Sequence, residues 1–180
     1  MYIDGLVKIC EKAWAITILA QIATGVPVRV SVLAAAAGTT RSAIRPSIAH
    51  LHELGLLVEN AGHGHPLRPE SVLTPAGERW AELALQLRRE LNNDEERRLI
   101  RFNWTLPTLR VAHEPVRFSA LRQTLPPIGD SALSTTLQRL ETTGWIERQI
   151  DLAIRPPRVA YITVNRGREI GNLLTDSVSL

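Results

Sequence analysis

The sequence predicts a mainly α-helical fold with small β-wings, built as two similar halves, and three observations lead there. The heptapeptides "PVRVSVL" from Pro27 and "PVRFSAL" from Pro115 agree at Pro, Val, Arg, Ser and Leu. Advancing the chain by 89 residues pairs Ser42 with Ser131, Ala43 with Ala132, Leu51 with Leu140, Gly55 with Gly144 and Thr74 with Thr163, without a gap. Apolar residues recur at helical spacing in both halves, and such self-similarity is the mark of a repeated structural unit.

The elements follow in the same order in each half. "AWAITILAQIA" and "NWTLPTLRVAH" are apolar-periodic helices, and Pro107, lacking an amide donor, must start or kink its helix. In "PVRVS" and "PVRFS", valine or phenylalanine alternates about an arginine, which predicts a short strand, with Ser31 or Ser119 as the cap of the next helix. Ile44, Ile48, Leu51 and Leu54, and then Leu133, Leu137 and Leu140, form buried stripes on a second helix. Pro46 requires that helix to begin near Ser42 or to bend. Gly55 and Gly144 suit the left-handed position that ends a helix. "LLVEN" to "SVLT" and "WIERQ" to "AYIT" each read as two strands around a turn-rich loop. A helix, a strand, two helices and a hairpin are the parts of a winged helix-turn-helix.

Trp80, Leu83, Leu87 and Leu91 make an apolar stripe on a connector helix, and "NND" at Asn92–Asp94 is the best helix break. The expected organisation is therefore a first domain over 1–92, carrying the connector helix, and a second over 93–180. The connector stripe, the "YIDGLVKIC" helix and Ile170, Leu173 and Leu174 must all be covered, either by the adjoining domain or by a second chain in a homodimer.

Composition narrows the function. The chain has 180 residues, 44% hydrophobic and 22% charged, with a net charge of +3. No apolar run approaches the roughly 18 residues of a membrane span, and the start lacks a signal layout, so a cytoplasmic protein with no membrane partner is expected. The single cysteine, Cys10, excludes an internal disulfide and a cysteine metal cluster. His63 and His65 in "GHGH" stand two apart, but two histidines in a polar turn do not make a metal site. No Gly-rich phosphate loop, nucleophile elbow or acid/base pair is present, so neither an enzyme nor a cofactor is expected. Of 21 cationic residues 19 are Arg, the side chain suited to phosphate and guanine, although base composition of the genome alone can produce such an excess.

"NWTLPTL", "PVRFSALRQTLPPI", "LSTTLQRLETTGWIERQ" and "PPRVAYITVNRGRE" resemble the HxlR group of bacterial transcriptional regulators, within the wider MarR-like winged helix regulators. The first half is similar but more diverged, keeping "AWAITIL", "LHELGLLVE" and "LTPAGERW" around an Ala-rich "LAAAAGTTRSAIRPS". The resemblance implies a DNA-binding regulator. Its members usually carry one such domain and pair as homodimers, whereas this chain is expected to carry two in tandem. Some relatives sense redox state through a cysteine near the domain start. Cys10 stands too close to Trp14 for that placement, and the role is not carried over.

A recognition helix reads DNA with its exposed N-terminal half. Setting aside the core stripes leaves Thr40, Arg41, Ser42, Arg45 and Ala49 on the first such helix, and Ser131, Ser134, Thr135, Gln138 and Arg139 on the second. Arg pairs with guanine and Gln with adenine, so Arg41, Arg45, Gln138 and Arg139 are the candidate base contacts and the hydroxyls candidate phosphate contacts. Arg68, Arg155 and Arg158 on the wings, with Arg29 and Arg117 on the short strands, are further candidates for phosphate. The expected partner is double-stranded DNA, read as two unlike half-sites about one helical turn (~10 bp) apart by an intrachain pseudo-dimer. A small-molecule effector is left open. The rival reading is a protein–protein interaction module of the chromosome-segregation or scaffold type, which requires an apolar exposed face and little DNA affinity.

Overall fold

The two heptapeptides sit at equivalent joints. The computed structural model describes residues 3–60, 71–151 and 157–176. In the first half, helix α2 (Ala15–Ala23) leads to Val28, whose pairing with Ser71 is a single β-bridge, and then to α3 (Val30–Ala36) and α4 (Arg41–Glu53). Strands β1 (Leu57–Glu59) and β2 (Ser71–Leu73) form an antiparallel pair, followed by α5 (Pro75–Glu90). In the second half come α7 (Thr105–Val111), a bridge from Val116 to Tyr161, α8 (Phe118–Thr124), α9 (Asp130–Thr142), antiparallel β3 (Ile146–Asp151) and β4 (Arg158–Thr163), and α10 (Asn165–Asp176). Two short helices precede these strings, α1 (Ile3–Cys10) and α6 (Asp94–Leu99).

Most sequence expectations have visible physical causes. Pro107 falls in the first turn of α7, where no intrahelical donor is needed. Pro46 lies inside α4 on its exposed side, and the helix begins at Arg41. Gly55 and Gly144 take φ of 67° and 68° after α4 and α9. "NND" separates α5 from α6, with Asn93 Oδ1 accepting from the Glu96 amide at 2.9 Å and Glu96 accepting from the Asn92 amide at 2.7 Å, a reciprocal cap.

Three expectations are corrected. Ser31 and Ser119 do not cap α3 and α8: Arg29 and Arg117 occupy the N-cap positions with extended backbones and no side-chain cap bond. The turn closes two residues early in the first half because the Arg29 carbonyl already accepts from Val32 (3.0 Å) and Leu33 (2.9 Å). The alternation at Val28 and Val116 yields a bridge rather than a strand. Finally, Thr163 pairs with Ile146 where Leu73 pairs with Leu57, so the counterpart of Thr163 is Leu73, not Thr74. The second wing segment holds one more residue than the first.

Two compact units emerge, one of residues 11–101 and the other joining residues 1–10 to 102–180. In the first unit α5 packs on α2, and Trp80, Leu83 and Leu87 of α5, Leu91 just after it, and Ile18 and Leu19 of α2 are all buried. The connector stripe is thus covered by its own chain. In the second, α10 and α1 both pack on α7, and Ile170, Leu174, Leu6, Ile9, Leu106 and Leu109 are all buried. Each such side chain contributes about 1.5–3 kcal/mol.

The helix that precedes each string is exchanged. Helix α1 runs into α2 and α6 runs into α7, each ending in a pair of buried apolar residues, Ile9 with Cys10 and Leu99 with Ile100. Yet α1 belongs to the unit of α7, and α6 to the unit of α2. No described helix is long and apolar enough to cross a membrane.

Candidate nucleic-acid interface

In the first unit the connection from α3 to α4 turns at Gly38, whose φ is 63°. Thr40 caps α4, its Oγ1 accepting from the Ala43 amide at 3.3 Å and lying 2.9 Å from Ser42 Oγ. Ile44, Ser47 and Leu51 face inward, and the Trp14 amide donates to Ser47 Oγ at 3.3 Å, tying α4 to the start of α2. His52 lies 3.0 Å from Ser71 Oγ, tying the same helix to β2. The opposite face presents Arg41, Ser42, Arg45 and Ala49, all exposed. Arg41 and Arg45 are four apart, so both cations lie on one side of the first turns.

In the second unit α8 reaches α9 through a cis Pro126–Pro127 peptide and buried Ile128. Leu133, Thr136, Leu137 and Leu140 face inward, leaving Ser131, Ser134, Thr135 and Gln138 exposed. Two features of this face are absent from the sequence reading. Asp130 opens α9 and pairs with Arg122 Nε at 2.9 Å. Arg139 is half-buried with its guanidinium 3.7 Å from the centroid of the Phe102 ring. Phe102 is 46% exposed, and no spacing in the sequence joins it to Arg139.

The two faces therefore differ in charge. The α4 face carries two exposed arginines, and the tip of α9 carries hydroxyls and an amide. Arg29 and Arg117 are exposed at the starts of α3 and α8, and Arg158 is exposed at the first position of β4, opposite Asp151 in register. Arg68 and Arg155 lie outside the described residues, as do His63 and His65. Both wings hang from the same close approach: a β-carbon at Gly77 would lie 2.1 Å from the Leu56 carbonyl oxygen, and one at Gly167 2.0 Å from that of Trp145.

Helix, bridge, helix-turn-helix and hairpin in this order are the frame on which a recognition helix is presented. Residues 99–178 match the HxlR-like helix-turn-helix family. The HxlR-like match takes in α7 to α10, the α9 face and the β3–β4 hairpin, and points to a DNA-binding transcriptional regulator. It does not extend to residues before 99. No curated protein and no solved structure matches the chain.

Proposed function

We propose that the chain is a sequence-specific DNA-binding transcriptional regulator in which α4 and α9 are two unlike recognition helices, carried by tandem winged helix-turn-helix domains. The observation that carries this reading is the exposed polar face of each second helix, above an apolar stripe buried in its own unit. Arg41 and Arg45 supply bidentate donors for guanine or phosphate, Gln138 suits adenine, and Ser131, Ser134 and Thr135 suit phosphate. Thr40 acts chiefly through the cap that fixes the tip of α4. Arg139 acts from its stack on Phe102, at the far end of α9. Arg29, Arg117 and Arg158 flank these tips, with Arg68 and Arg155 on the wing segments.

The exchange of α1 and α6 between units supports a pseudo-dimer within one chain. Each unit is completed by a helix from the other repeat, as subunits of a dimer complete one another by swapping an identical element.

The test is a gel shift with DNA from upstream of the protein's own gene, at two salt concentrations and with unrelated competitor. Specific binding that survives competitor and weakens with salt is expected. A protein–protein module predicts no salt-dependent affinity, and equal loss to any competitor reduces the function to non-specific binding.

A further inference from the structure

Cations gather at one place in the unit of residues 11–101. Helix α5 ends in Arg88 and Arg89, and α6 carries Arg97 and Arg98 in its last turn, with Arg101 just beyond. A cation in the last turn suits the negative end of a helix, and that alone accounts for arginine at each terminus. It does not account for where the two termini meet. Arg88, Arg97, Arg98 and Arg101 line one open cleft together with the α3–α4 turn at Gly38 and Thr39. The next residue, Thr40, caps α4, so the cluster borders the tip that carries Arg41 and Arg45.

Little negative charge balances these arginines. The one acid among the described lining residues, Asp94, is held by Arg97 at 2.8 Å. Arg101 is fixed over the Trp14 ring, 4.3 Å from its centroid, and its pKa is lowered by partial burial and then by Arg98, with Asp94 opposing. Like charges held this close repel, and a strand bearing several negative charges at regular spacing relieves them together. The corresponding place in the other unit is built differently. Aligned on the buried pairs Ile9 with Cys10 and Leu99 with Ile100, Arg97 falls opposite Val7, which is buried, and Arg98 opposite Lys8. Arg88, Arg97 and Arg98 also stand before the HxlR-like segment.

We infer that Arg88, Arg97, Arg98 and Arg101 hold the DNA backbone beside the half-site that α4 reads. The planar guanidinium fork takes a phosphate through two parallel bonds, so this surface adds affinity and no base preference. The half-site of α4 is thereby gripped over more of its backbone than that of α9. This rests on the DNA-binding reading above and extends it to residues that belong to neither recognition helix nor wing.

The test measures DNA affinity of the full chain by fluorescence anisotropy across a salt series, for the double variant Arg88→Gln, Arg98→Gln and for the control Arg89→Gln. Arg88 and Arg98 are exposed, so the double variant keeps the native thermal midpoint. Arg89 is exposed at the same helix end and does not line the cleft. The double variant is expected to lower the slope of log affinity against log salt by about 2, so that its loss of affinity between about 50 and 200 mM salt is roughly tenfold smaller. Its preference for the cognate over a substituted site is unchanged, and its hydroxyl-radical footprint shortens beside the α4 half-site alone. Arg89→Gln moves none of these. A native slope and footprint in the double variant overturn the inference and leave the cluster to an acidic protein partner. A fall of about 1 in slope from Arg89→Gln reduces the effect to diffuse charge and overturns it as well. Specific binding by the unaltered chain with an unaffected double variant leaves the proposed function standing, whereas absence of DNA binding by the unaltered chain overturns both.

Discussion

One methyl group tests how the wings are held. Gly77 and Gly167 let the first turns of α5 and α10 touch the chain as it enters β1 and β3, with room for no β-carbon. Gly77→Ala and Gly167→Ala are each expected to destabilise the protein by on the order of 3 kcal/mol, because the opposing atom is backbone and cannot rotate away. Thermal unfolding checks this, with a fall in midpoint of about 6–12 °C expected for a chain of this size. The 89-residue register sets Gly77 opposite Arg166, so the match of the two glycines was not legible there, and nothing in a sequence shows two backbones approaching. Cys10 makes a second residue-scale case. Burial pushes its thiol from 9.0 up to about 12, so the folded state holds it protonated. The stability gained from this is complete below pH 9 and falls as pH rises toward 12. Cys10 is expected to resist alkylation by iodoacetamide at pH 8 in the native chain and to react once urea unfolds it.

At the scale of elements, the apolar stripes of α4 and α9 were legible because helical spacing alone assigns Ile44, Leu51, Leu133 and Leu140 to one face. The starts of α3 and α8 were not, since Ser31 and Ser119 carry cap chemistry but the extended backbone of Arg29 and Arg117 takes the position first. Nor was the state of Arg139, because its partner Phe102 lies 37 residues away, a distance no periodicity reports. These differences set the mutational expectations. Arg45→Ala is expected to weaken DNA binding across sequences and to reduce the slope of log affinity against log salt by about 1 if Arg45 meets phosphate. Gln138→Ala is expected to cost about 1–3 kcal/mol and to relax preference at one base pair. Fluorescence anisotropy on the cognate and a substituted site distinguishes the two. Arg45→Ala without effect would leave the first unit a scaffold and α9 the sole reader.

At the scale of the whole molecule, the order of elements in each half was legible and the exchange of helices was not. Sequence adjacency assigns α1 to α2, and the buried pair Ile9 and Cys10 fits an apolar partner without naming it. The same limit applied to the connector stripe, whose periodicity required a cover that α2 supplies. Leu87, fully buried in that contact, is expected to cost about 2–5 kcal/mol as Leu87→Ala, read by urea unfolding. On the proposed reading, a chain so completed offers two reading heads without a second copy. The measurement that bears most directly on this claim is a hydroxyl-radical footprint on the upstream DNA, with the stoichiometry of the complex determined by sedimentation. One chain per site is predicted, protecting two half-sites of different sequence about one helical turn apart. A single protected half-site, or a palindrome occupied by two chains, would contradict it.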